Sequence, residues 1–228
     1  MADLKLARRA IGLAGLGLCA AGASAQEAPL SWAATQPARG RITWRESFTY
    51  TRYERNGADA ERFAVNTRLS LGLSGRLSAS LDLPMVSERA TDGSERTSGL
   101  GDASLSLKWR FWQHDTGAIE TNRLALLGGV RLPSGEGDLS SGGLDPYLGL
   151  VFTRVQGRHG LNASARYLVT TDGRDDPLSA GMGDADLLTL ETSYLYRLSP
   201  GSYGPDTVGA WYAVVESFVD YETNGDAE

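Results

Sequence analysis

From about residue 41 onward, apolar and polar side chains alternate along the chain in runs of roughly ten residues. In the segment 62–74 the odd positions are Phe63, Val65, Thr67, Leu69, Leu71 and Leu73. The even positions are Ala64, Asn66, Arg68, Ser70 and Gly72. Successive strand side chains point to opposite faces, so this parity separates an apolar face from a polar one. Ser74-Gly75-Arg76 makes a tight turn, and Leu77, Ala79, Leu81 and Leu83 then alternate with Ser78, Ser80 and Asp82. The pair predicts a β-hairpin.

The same pattern predicts strands over 41–53, 102–112, 123–132, 161–169 and 186–198. Segments 146–156 and 207–221 are apolar on both parities, which leaves their facing open. The total is about nine strands. Short turns near Gly75 and at 157–160, and modest ones at 113–121 and 199–206, fall at one end. The connections 54–61, 84–101, 133–145 and 171–183 fall at the other, and three of them are long. Short turns at one end and long loops at the other is the rhythm of a bacterial outer-membrane barrel, with the short turns periplasmic.

Aromatic positions fit that frame. Trp44, Phe111, Trp112, Tyr194, Tyr196, Trp211 and Tyr212 fall near the periplasmic ends of their strands. Tyr50, Tyr53, Phe63, Tyr147, Tyr167, Phe218 and Tyr221 fall near the outer ends. Two belts suit the two interfaces of a bilayer. The expected fold is all-β, an antiparallel transmembrane β-barrel. A soluble periplasmic β-sandwich is the alternative.

The first 25 residues read as a secretory signal. Lys5, Arg8 and Arg9 precede an apolar stretch from Ile11 to Ala21, and Ala23-Ser24-Ala25 offers a cleavage site. The stretch is too short for a spanning helix. Leu18 before Cys19 does not suit a lipobox. Residues 26–40 are expected as a periplasmic N-terminal segment, and 41–228 as the barrel domain. Loss of the leader takes the net charge from −6 to −8 and leaves no cysteine. An acidic exported chain is a poor nucleic-acid binder. An odd strand count cannot close such a barrel, so the expectation is a domain incomplete at its C-terminus, with about twelve strands when complete.

Gly99-Leu100-Gly101-Asp102-Ala103-Ser104-Leu105 with Lys108-Trp109-Arg110-Phe111 resembles the opening of central strands in the outer-membrane family named for the MetA pathway of phenol degradation. Leu81-Asp82-Leu83-Pro84 and Leu132-Pro133-Ser134-Gly135 are similar to strand endings of that family. The likeness covers roughly 60–200. It implies a barrel channel or transporter for small, often aromatic or hydrophobic molecules, and no catalytic residues.

If the apolar parity faces lipid, Arg45, Arg68, Lys108, Arg110, Arg123, Arg131, Arg166 and Arg197 point into the lumen with Asp82 and Glu191. An arginine facing lipid at midplane costs about 2–4 kcal/mol, which favours the inward placement. Such a lining is either a selectivity device for anions or a set of charges bracing a narrow barrel. Gly101-Asp102-Ala103 recurs as Gly183-Asp184-Ala185, each at an outer-mouth turn. The carboxylates of Asp102 and Asp184 touch passing ions, or they cap backbone amides; the turn reading is preferred.

His114 and His159 are the two histidines, and both fall in predicted periplasmic turns. A barrel lipase needs its histidine beside a serine near the outer leaflet, so no enzyme is expected. No metal spacing and no cofactor motif is present, and the acidic groups Glu136, Asp138, Asp172, Asp175 and Asp176 read as solvated loop charge. The expected function is an outer-membrane channel for small molecules, with outer-membrane lipid and a small solute as partners. The alternatives are a non-conducting structural or surface-binding barrel and, behind it, a lipid-modifying enzyme.

Overall fold

The computed structural model describes residues 28–55, 58–90, 96–117, 119–171, 186–202 and 209–223. They form one antiparallel sheet. Its strands are β1 (Ile42–Arg55), β2 (Ala58–Gly72), β3 (Leu77–Ala90), β4 (Arg96–Leu100), β5 (Ser104–Gly117), β6 (Glu120–Arg131), β7 (Asp145–Gln156), β8 (His159–Leu168), β9 (Asp186–Ser199) and β10 (Trp211–Thr223). Each strand pairs with its sequence neighbour, except that β4 and β5 both pair with β3. The two are one strand interrupted at a bulge. Asp82 faces Ser104 and Met85 faces Leu100, so Leu83 and Pro84 oppose Gly101, Asp102 and Ala103. Pro84 has no N–H to give the ladder, and its carbonyl accepts from Gly101 N at 2.9 Å.

The all-β antiparallel expectation therefore holds, with nine places in the curved sheet. The sheet curls through 275°. Strands β1 and β10 run in the same direction, because eight antiparallel steps separate them, and no pairing joins them among the described residues. Most of the strands have 12–15 residues, more than the 9–11 or so that a bilayer crossing needs. The excess absorbs two expected loops. Connection 54–61 is mostly the ends of β1 and β2, and 84–101 is largely a hairpin of β3 and β4.

The outward face carries the apolar parity. Trp44, Phe48, Leu107, Trp109, Leu126, Leu148, Leu150 and Val215 are all exposed there. Glu46 departs from it, and its carboxylate accepts from Trp44 Nε1 at 2.6 Å and Thr67 Oγ1 at 2.8 Å. Partners supplied by its own face explain how an acid is carried among apolar neighbours.

The core lies on the concave face. Trp32, Ala34, Ala125, Leu127, Tyr147, Val151 and Leu168 form one buried cluster, with Leu187 packed against it. Two of these residues precede the first strand. The segment 28–36, expected as a lead-in on the periplasmic side, runs along the inside of the sheet, with Ala28 and Ala34 at 0% exposure. It leaves the interior at Pro37, where Gly40 (φ 73°) turns the chain into β1. Gly72 lets it pass: a Cβ there would collide with the carbonyls of Pro37 and Ala38.

Candidate functional site

Burial alternates along β7 and β8, which settles their facing. Tyr147, Gly149, Val151, Thr153 and Val155 point inward, and Leu148, Leu150 and Arg154 outward. Tyr147 is therefore not an outer-belt residue; it is 6% exposed and lies under the Arg166 guanidinium, 5.4 Å from its ring centre. Parity alone could not orient a strand whose two faces are both apolar. Tyr212 and Phe218 sit opposite the inward Arg197 and Glu191, so they too face inward. Trp44, Tyr50, Phe63, Phe111, Trp112, Tyr194 and Trp211 are exposed. The side chain of Tyr53 lies outside the described residues.

All ten expected lumen residues occupy inward register positions. Arg45 and Arg68 stand directly opposite one another on β1 and β2. Asp82 on β3 binds Arg68 Nε at 2.6 Å and accepts from Asn66 Nδ2 at 3.1 Å. Arg131 donates to Asp145 through Nε (2.9 Å) and a terminal nitrogen (2.6 Å), and Ser141 Oγ adds a third bond to the same oxygen at 3.1 Å. Lys108 Nζ donates to the Ala33 carbonyl at 2.6 Å. Arg110 donates to the Gly75 carbonyl at 2.5 Å. Glu191 accepts from Ser164 Oγ at 2.8 Å. Arg197 is buried near the short-turn end, where its N–H donates to the Arg158 carbonyl. Arg123 faces Gln113 across the ladder, one turn of the pleat from Arg110.

Inward cations line the concave face on both sides: Arg45, Arg68, Lys108 and Arg110 on β1–β5, and Arg123, Arg131, Arg166 and Arg197 on β6–β9. The buried apolar cluster of Ala125, Leu127, Tyr147, Val151 and Leu168, with Leu187 against it, is set among the second group. Trp32 joins this cluster to the first group, with the Arg68 guanidinium 3.7 Å and Lys108 Nζ 5.6 Å from its ring. Cations over an indole face are an attractive pairing.

At the opposite end from Gly75, the 132–144 loop packs onto the sheet. Asp102 accepts from Gly135 N at 2.8 Å, Ser141 N at 2.7 Å and Ser141 Oγ at 2.8 Å. Its carboxylate is occupied in holding the loop, in keeping with the turn reading. Asp184 lies outside the described residues, as do Asp172, Asp175 and Asp176. His114 is in β5 rather than in a turn and stacks on Trp112 at 6.3 Å. His159 opens β8, with Nδ1 2.6 Å from Tyr194 Oη.

The sequence pattern does not place Trp32, Thr153 or Glu216 on the concave face, and it places Tyr147 in the outer belt. Glu216 was visible as a lone acid in the apolar run Ala213-Val214-Val215, and that was its signal.

The family described as "Putative MetA-pathway of phenol degradation" matches residues 27–226. The chain belongs to this family. The match extends beyond the motifs at 60–200 and takes in the buried N-terminal segment and the last strand. No curated protein matches the chain.

Proposed function

We propose that this member of the family forms an outer-membrane barrel, exported through its leader, that passes small molecules along its concave face. The observation that carries the reading is the sorting of faces. Apolar and aromatic side chains cover the outside, as lipid requires, while the cations face inward around a buried apolar cluster. A conduit lined by cations around a buried apolar and aromatic cluster suits solutes that are both aromatic and anionic, such as aromatic carboxylates or phenolates. Pathway membership in the family description supports an aromatic cargo.

The inward cations divide by duty. Arg131 is held against Asp145, so its replacement would test folding rather than passage. Arg110 and Arg123 are half-buried near the short-turn end. They are the cations to reverse. In planar bilayers under a salt gradient, the wild type should show an anion-selective reversal potential. The double change Arg110→Glu with Arg123→Glu should move it toward cation selectivity. Identical reversal potentials in two folded proteins would sink the anionic-cargo reading.

A specific observation also favours a non-conducting barrel, namely the filling of the concave face by residues 28–36. Failure of any form of the folded protein to carry current would favour that alternative.

A further inference from the structure

The geometry points to residues 28–36 as a displaceable plug, its backbone amides held by side-chain acceptors of the sheet, blocking the conduit until it is released. The inference rests on the channel reading above and adds its gate.

The seat is made by side chains from strands all around the sheet. Glu216 on β10 accepts from Ser31 N at 2.8 Å and from Leu30 N at 3.2 Å. Glu191 on β9 accepts from Trp32 N at 3.2 Å. Thr153 on β7 accepts from Ala34 N at 2.8 Å. Lys108 on β5 donates to the Ala33 carbonyl, and Arg68 on β2 covers the Trp32 ring. Gln36 then closes the stack with bonds to the carbonyls of Arg76 and Lys108, at 2.7 and 3.0 Å. Contacts reaching from β2 to β10 place the segment across the interior rather than along one wall.

An extended segment buried away from water must find partners for its amides, and here the sheet supplies them from side chains instead of a strand ladder. That choice makes the segment separable. Withdrawing it breaks no sheet pairing. It exposes two carboxylates, a lysine and an arginine that water or an ionic solute can satisfy. The small residues Ala28, Ser31, Ala33 and Ala34 fit a narrow interior, and Trp32 is the bulky anchor. The exit past Gly72 lies at the short-turn end, so withdrawal runs toward the periplasmic side.

The test uses the full chain with its one cysteine, Cys19, replaced by serine. Ala34→Cys reports the seat through its rate of labelling by a membrane-impermeant maleimide. Adding Glu216→Ala should raise that rate tenfold or more, and should raise the open fraction in planar bilayers. Separately, Ala34→Cys with Thr153→Cys should suppress openings when oxidised and regain them with dithiothreitol; this pair leaves every seat carboxylate in place if Glu216→Ala does not fold. Unchanged labelling in folded Glu216→Ala, or equal current through the oxidised and reduced pair, overturns the plug. Labelling that rises while no form carries current supports displacement and overturns the channel reading instead.

Discussion

Arg131 and Asp145 face one another across β6 and β7, and each is nearly inaccessible, with side chains 6% and 0% exposed. The carboxylate also receives Ser141 Oγ and, on its other oxygen, Thr171 N at 3.0 Å. One residue thus ties the ends of two strands to two loops. Removing the guanidinium leaves a buried acid without its counter-charge, a change that costs about 3–5 kcal/mol. Arg131→Ala is expected to lower the unfolding free energy, measured by urea titration of the folded protein in detergent, by that amount. Arg110→Ala, whose partner is a carbonyl near the mouth, should move it far less. The same distinction was not legible in sequence, where both arginines occupied the polar parity of an alternating strand. Parity assigns a face; it does not say which inward charge meets an acid.

At the level of elements, the strands obey the alternation that predicts them, and departures have local causes. Pro84 introduces the bulge between β4 and β5 because it cannot donate to the ladder. Glu46 is tolerated on the outer face because Trp44 and Thr67 meet its oxygens. Mid-strand positions without such partners have no equivalent relief. Leu107, near the middle of the interrupted strand that β4 and β5 form together (96–117), is 53% exposed on the outward face. Leu107→Arg should cost about 2–4 kcal/mol in a lipid bilayer if that face meets lipid. Ser106→Ala, one residue along and inward, should be close to neutral. Equilibrium unfolding from lipid vesicles measures both, and equal stabilities for wild type and Leu107→Arg would argue against a lipid-facing surface.

For the whole molecule, the short turns at one end and the longer connections at the other predict an orientation. Ser74 sits at the end where residues 28–36 leave the interior, and Thr97 sits on the projecting β3–β4 hairpin. On intact cells, Thr97→Cys should react with an impermeant thiol reagent and Ser74→Cys should react after the outer membrane is permeabilised. The reverse order would invert the topology and, with it, the side toward which the plug withdraws.

The pattern of side chains along the chain determined the strand positions, their antiparallel succession and the inward placement of the ten charged residues, because a strand's alternation is local and needs no partner to be read. Family membership was legible for the same reason, in short motifs at strand ends. Tertiary structure alone decided what those charges touch. It turned Tyr147 inward, brought Glu216 and Glu191 to the amides of residues 30–32, and set Trp32 between the Arg68 guanidinium and the buried apolar cluster. Each of these depends on how far the sheet curls and on which segment fills its concave face. Contacts between residues more than a hundred positions apart leave no periodic trace in the sequence.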